Sequence, residues 1–513
     1  MKSFFKKHLW LILVVLLATV LRFYNLSSNP PSLSWDEAAI GWNAKSMFHT
    51  RRDEFGTRLP LAFRSFGDYK APLYIYLTAP VVGFFGLTEI NIRLVSVLAG
   101  IASIVVIYLI TEKLFNKKTA LVSAALLAIT PWSILISRGA FEQNLALFFI
   151  LLGIYWFITA LKKTIWLIPS AISFGLSLYT YHSPKIFVPI FVLSSLLIYR
   201  KKLFTKKTKY YLLSSAILGI VLLLPLIKAT FTSSAALRFT GTSIFYKNDV
   251  RQPFTPKLFT QLAKNYLVHY SPSFYWQGVS DNFRTQTKDF GLLLTTTAPF
   301  LIYGLYIVIK NRQKDWAKFL LAWLFIGPIA AAIGRENPHP IRAMNMLPAL
   351  LIITALGTTS IIKQFKSLKP WIIALLLINL SLFLNHYFTQ YSIYSASDWQ
   401  YGYKQVAEIA KKYENQVNKI VITSHYGQPH IFNLVYQNRD PAFVFNGGMV
   451  KYIYYDISWF DDSRYKDVLL IGSPKEIPET PETLIKQINF PDGSPAFRVV
   501  KTKGDVIIDG AVL

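Results

Sequence analysis

The sequence predicts an α-helical polytopic membrane protein with about 11 transmembrane helices, followed by a small C-terminal α/β domain. Three observations carry this prediction. Of 513 residues, 53% are hydrophobic and only 16% are charged, against about a quarter charged in a soluble domain. The apolar residues gather into runs, many of about 17–20 residues, the length that crosses a hydrocarbon core. Past position 390 the pattern changes to short strands and an amphipathic helix.

The apolar runs are residues 9–20, 92–111, 120–136, 145–161, 165–181, 186–199, 211–227, 292–309, 317–333, 344–362 and 371–387. The first, within KKHLWLILVVLLATVLR, has the basic start and apolar core of a signal peptide. No small-x-small cleavage site follows, so it reads as an uncleaved first span. A further stretch, 71–87, contains Pro72, Pro80, Gly83 and Gly86, which fit a broken, interfacial or re-entrant helix better than a clean span.

Loop charge supports that assignment. Lys113, Lys117 and Lys118, Lys162 and Lys163, the 200–209 cluster, Lys310, Arg312 and Lys314, and Lys363, Lys366 and Lys369 form short basic loops. The positive-inside rule puts such loops in the cytoplasm. They fall on one side only if 71–87 does not cross. The N-terminus is then cytoplasmic and the C-terminal domain extracytoplasmic, in a cell membrane. The outer face receives the first loop (25–70), the turn around Arg138, the long loop 229–291 and the turn 334–344. The expected division is 1–390 for the membrane domain and 391–513 for the soluble one.

In the soluble part, SDWQYGYKQVAEIAKKYENQ has helical periodicity, with Trp399, Tyr403, Val406, Ile409 and Ala410 on one face. NKIVITSH, DVLLIG and PAFRVVKT read as strands. The domain shows no glycine-rich phosphate loop and no catalytic triad, and its expected role is a cap or an acceptor platform.

The net charge of +27 sits in loop-sized clusters with no RNA-binding motif, which excludes a nucleic-acid partner. The absence of cysteine excludes disulfides, thiol nucleophiles and Cys-ligated metal. His182, His339, Glu37 and Glu336 are the conceivable metal ligands. No His-x-x-x-His or Glu-x-x-His spacing supports them. A divalent metal has no sequence support, and no cofactor is required.

The candidate chemistry lies on the outer face. SLSWDEAAIGWNAK places Asp36 and Glu37 just past the first span, flanked by Trp35 and Trp42. One reading makes Asp36 the cap of a helix beginning at Ala38. The other makes it a general base, since a partly shielded carboxylate gains proton affinity. Lys70 precedes the Ala-Pro step of the 71–87 segment, where a cation meets a phosphate at headgroup depth. Arg138 ends a span. It either snorkels to the interface or binds a phosphate bidentately. YTYHSPK supplies His182 and Lys185; GRENPHPIRAM supplies Arg335, Glu336, His339 and Arg342. Charges beside a span are costly and usually functional. Cations from separate helices suit an anionic, membrane-embedded substrate.

An acidic pair in the first outer loop, a Lys-x-Pro step before an apolar segment and about eleven spans resemble the GT-C membrane glycosyltransferases. The likeness is to their protein O-mannosyltransferase and lipid A aminoarabinose transferase group. TRRDEFGTRLPL, SFGDYKAPLYIY, ITPWSILISRGAFEQN, YSPSFYWQGVSDNFRTQTKDFGLLL and ENPHPIRAMNMLPAL are similar to bacterial members, in order over residues 1–390. The resemblance implies the GT-C fold and a polyprenyl-phosphate sugar donor. It implies Asp36 as catalytic base with Glu37 as its partner, and Lys70, Arg138 and Arg342 on the donor phosphate. His182, Lys185, Arg335, Glu336 and His339 are further substrate-binding candidates. The expected reaction transfers a sugar, with inversion, to an acceptor protein, glycan or lipid on the extracytoplasmic face. The aminoarabinose enzymes carry Lys-Pro-Pro where this chain has Lys70-Ala71-Pro72. The mannosyltransferases' His-Pro-Pro step and lumenal MIR domain have no counterpart here. The competing readings are a transporter or flippase of an anionic lipid-linked sugar, which would form no bond, and an envelope assembly protein.

Overall fold

The computed structural model describes residues 2–206, 208–231, 240–248, 250–278 and 282–507. Positions 232–239, 249 and 279–281 of the long 229–291 loop therefore lie outside the described residues. The chain packs as two compact units. One comprises Met1–Tyr24, Leu61–Tyr74 and Arg93–His386; the other comprises Asn25–Pro60, Ile75–Ile92 and Tyr387–Leu513. In chain order the first elements are α1 (Lys2–Phe23), α2 (Trp35–Thr50), β1 (Phe63–Ser65), β2 (Asp68–Lys70), α3 (Pro72–Phe85), α4 (Glu89–Leu114), α5 (Lys117–Ile129), α6 (Pro131–Arg138), α7 (Glu142–Ala160), α8 (Leu167–Leu178) and α9 (Pro184–Ile198).

The first unit is a helical bundle, and every apolar run read from the sequence overlaps a helix. Among the described residues, six helices are long and apolar enough to cross a membrane. The number is seven if the bent pair α5–α6 forms one span. Other runs form shorter apolar helices, such as Pro184–Ile198 and Thr295–Lys310. Leu213, Ile217 and Leu224 on Lys209–Phe231 and Leu375 and Leu382 on Lys369–Thr389 are exposed, an exterior suited to lipid tails.

Two expected elements take a different shape. The 120–136 run is not one straight span: α5 and α6 meet at 54°. Pro131 has no N–H for the Leu127 carbonyl, and the Trp132 N–H turns away to the Leu292 carbonyl at 3.0 Å. The carbonyls released by this break are met by Arg22. Its Nη1 donates to the Ala128 carbonyl (3.1 Å), and its Nη2 to the Leu127 carbonyl (3.3 Å) and Ser133 Oγ (2.8 Å). The 71–87 stretch is not broken. Pro72 opens α3, where a missing N–H costs nothing, Pro80 is accommodated inside it, and Gly86 follows at φ +89°. At 14 residues it is about 21 Å long, too short for a hydrocarbon core of about 30 Å.

In the second unit, residues 387–507 contain a five-stranded sheet. Its strand order is Tyr452–Tyr454, Lys419–Ile422, Lys466–Gly472, Pro495–Lys503, Leu484–Asn489. The first three are parallel and the last two join antiparallel. Val421, Ile453, Val468, Leu470 and Val500 form its core with Ile457 and Ile477. The three strands read from the sequence are present. Tyr452–Tyr454 went unseen because it has three residues, and Leu484–Asn489 because it is an edge strand with little buried periodicity. The amphipathic helix begins at Tyr403, later than the sequence pattern implied. Gly402 precedes it at φ +104°, over the Phe497 ring, where a Cβ would sit 2.7 Å from a ring carbon. Trp399 is buried but precedes the helix.

Candidate functional site

The predicted residues divide between the units. In the second unit, α2 starts at Trp35, so Asp36 is not the cap of a helix beginning at Ala38. Ser34 is the N-cap. Its Oγ accepts from the Glu37 N–H (3.3 Å), while Glu37 Oε2 accepts from the Ser34 N–H (3.1 Å). This reciprocal capping box explains the burial of Glu37, which is 2% exposed. It is complete without Asp36, which lies half-buried in the first turn. Trp42 does not flank Asp36 at the surface; it is buried in the core of this unit. Trp35 lies against Gly427.

In the first unit, three turns at helix ends converge on a buried polar triangle. Gln143 Nε2 donates to Asn345 Oδ1 (2.7 Å), Ser183 Oγ donates to Gln143 Oε1 (2.6 Å), and Asn345 Nδ2 donates to Ser183 Oγ (3.3 Å). Each edge closes a long loop, so the turns carrying Arg138, His182 and Lys185, and Arg342 are fixed to one another. The β1–β2 hairpin joins them. His182 Nε2 meets the Tyr69 carbonyl at 3.1 Å, and the Leu73 N–H donates to the Tyr179 carbonyl (3.0 Å). Lys185 Nζ lies 3.5 Å from His182 Nδ1. Lys70 is the residue after Tyr69 and is 7% exposed.

Arg138 does not snorkel. It is fully buried, and its Nη1 donates to the Leu21 (2.9 Å) and Arg22 (3.2 Å) carbonyls of the last turn of α1. A cation there satisfies orphan helix carbonyls and complements the helix dipole. Arg342 packs its guanidinium against Gly334, where a Cβ would lie 2.2 Å from Nη1. Arg335 donates from Nε to the Ser243 carbonyl (3.1 Å) and from Nη2 to the Thr240 (3.0 Å) and Tyr246 (2.7 Å) carbonyls. It pins residues 240–246, and with Lys247 and Lys257 it lines a cleft of about 660 Å³. His339 caps the short helix Pro340–Ala343, and its Nε2 lies 3.6 Å from the exposed Glu336 carboxylate.

Sequence reading missed His269, Gln143, Ser183, Asn345 and Arg22. His269 Nε2 accepts from the His339 N–H (3.1 Å), so its Nδ1–H faces the Asn265 carbonyl at 2.7 Å. Burial pushes its pKa down to about 4, so it is a neutral strut. A buried polar residue at a span's outer end was the signal available for Gln143 and Asn345. Among the described residues, no three His, Cys, Asp or Glu side chains come together as a metal site.

Residues 69–227 match the family described as dolichyl-phosphate-mannose-protein mannosyltransferase. The chain is 27% identical over 237 residues to the "Putative mannosyltransferase YycA" of Bacillus subtilis. That match covers 45% of this chain and 34%, about a third, of the relative. Among solved structures, ArnT from Cupriavidus metallidurans bound to undecaprenyl phosphate superimposes with a TM-score of 0.56 at 13% identity, over 98% of this chain and 100% of that one. The oligosaccharyltransferase AglB from Archaeoglobus fulgidus, in complex with an inhibitory peptide and a dolichol-phosphate, gives 0.53 at 12% identity, over 92% and 70%. Residues 69–227 thus resemble the mannosyltransferase family, and the chain shares its fold with ArnT and AglB.

Proposed function

We propose that the chain transfers a sugar from a polyprenyl-phosphate donor to a hydroxyl-bearing acceptor on the extracytoplasmic face of the membrane, with inversion. Asp36 acts as general base. It takes the acceptor proton as the acceptor oxygen attacks the anomeric carbon. The bond from that carbon to the phosphate oxygen breaks on the opposite face, and polyprenyl phosphate leaves. Lys70 and Arg342 stabilise the charge that grows on the leaving phosphate, where such contacts count most. Arg138 contributes by fixing the end of α1 beside the same turns, and His182 and Lys185 by supporting Lys70. Glu37 acts as the capping partner that holds the first turn of α2.

The observation that carries this reading is the match of residues 69–227 to the dolichyl-phosphate-mannose-protein mannosyltransferase family; Asp36 is a half-buried carboxylate in the first turn of α2. The bound undecaprenyl phosphate of ArnT and the dolichol-phosphate of AglB support the donor class.

The test uses purified enzyme, a panel of polyprenyl-phosphate sugars and candidate acceptors, with products identified by mass spectrometry. The expected result is a new glycosidic bond with inverted anomeric configuration, and a loss of about 10²–10⁴-fold in Asp36→Asn, the range of a general base. Wild-type turnover in Asp36→Asn would remove the role of Asp36. Movement of the donor across vesicles without a new bond would favour a flippase.

A further inference from the structure

We propose that the C-terminal α/β domain is the mount of the catalytic segment, with Gln400 and Tyr436 as positioning residues for Asp36; this rests on the role given to Asp36 above.

The start of a helix leaves N–H groups without intrahelical partners. At α2 the domain supplies one of the missing acceptors, and it holds the residues just ahead of the N-cap as well. Gln400 Oε1 accepts from the Trp35 N–H (3.0 Å), one residue from Asp36. The Tyr436 hydroxyl accepts from the Leu33 N–H (3.2 Å) and contacts Ser32 Oγ (3.2 Å). Gln400 is 7% exposed and sits at φ +47°, a conformation that a glutamine adopts only where its surroundings enforce it. Gly427, at φ +109°, lets the Trp35 ring lie on its backbone; a Cβ there would be 2.2 Å from Cζ3.

The far end of α2 is fastened as well. Lys45 Nζ donates to the Asn438 carbonyl (3.0 Å), Asn438 Oδ1 (2.7 Å) and the Arg439 carbonyl (2.7 Å), just past the helix Pro429–Tyr436. Beyond α2, Glu54 Oε1 lies 3.2 Å from His430 Nε2, and Glu89 pairs with Lys404 at 2.9 Å. A platform for an acceptor would not need to satisfy a first-turn amide of a helix near the other end of the chain and to hold the residues leading into it. A mount would, because a misplacement of about 1 Å can cost about 10²-fold in rate.

The test uses the full-length protein in detergent or nanodiscs. Gln400→Met removes the acceptor oxygen at similar volume, Tyr436→Phe removes the hydroxyl, and Gln400→Glu restores an acceptor oxygen at Trp35. Amide exchange is read at residues 33–37, and kcat and donor KM are read separately. The expected result is exchange at Trp35 or Leu33 faster by about tenfold or more, kcat lower by about tenfold or more at unchanged donor KM, and recovery in Gln400→Glu. Unchanged exchange would overturn the mount. Faster exchange with unchanged kcat would overturn positioning. If the wild-type protein transferred no sugar from any polyprenyl-phosphate donor, the functional reading would fail while the exchange measurement still decided the mount.

Discussion

The two regions that carry the proposed chemistry differ in how much of each is closed locally. The acid-bearing turn of α2 closes locally, with Ser34 and Glu37 three residues apart in one capping box. The cation-bearing turns close over long loops, with Gln143, Ser183 and Asn345 forming one triangle. A base must be held at one angle to one attacking atom; a short motif shapes its turn, and Gln400 adds one distant acceptor at Trp35. A lipid phosphate presents several oxygens and needs cations from several directions. Only tertiary closure can assemble those.

The difference can be broken by mutation. Arg342→Ala or Lys70→Ala should lower turnover by about 10²–10³-fold, the cost of one transition-state donor, with the melting temperature unchanged. Loss of melting temperature instead would make them structural. Arg138→Met should do the reverse. Two carbonyls at the end of α1 lose their partner, each at a cost of about 1–3 kcal/mol, so thermal stability falls. A variant of normal stability and no activity would assign Arg138 to the phosphate directly.

Asn345→Ala tests the triangle. It strands the buried Gln143 Nε2, at about 1–3 kcal/mol, and loosens two turns together. A double-mutant cycle with Ser183→Ala should show strong coupling, and additive effects would show that the turns are held independently.

The smallest expected effect is a pH dependence. Burial lowers the His269 pKa to about 4, below its ordinary unfolded value. The unfolded chain therefore binds the proton first, and stability falls as pH drops through the window from about 6.5 to about 4. Between pH 7 and pH 6 the loss is a fraction of a kcal/mol, of order RT. Thermal melts of wild type and His269→Asn across this range should differ by that slope. Equal slopes would show that His269 takes up its proton as readily in the fold as in the unfolded chain.

The helical membrane class was legible because hydrophobic burial in lipid imposes length and composition on each span separately. Asp36 and Glu37 were legible as a pair because a charged dyad beside a span stands out. Their separate roles were not, because the serine that claims Glu37 looks like any loop serine. The bend at Pro131 was written in the sequence, yet its consequence, the recruitment of Arg22 more than 100 residues away, was not.

By itself the sequence determined the apolar helices, the α/β character of the C-terminal part and the supply of acids and cations at helix ends. These depend on local periodicity and on the cost of charge near hydrocarbon, which each segment meets alone. Tertiary structure decided which polar groups serve the fold. Arg138 meets carbonyls of α1, Glu37 its own N-cap, and Gln400 the first turn of α2. A hydrogen-bond donor or acceptor is satisfied by whichever partner the fold brings within reach, and that distance is not encoded in separation along the chain.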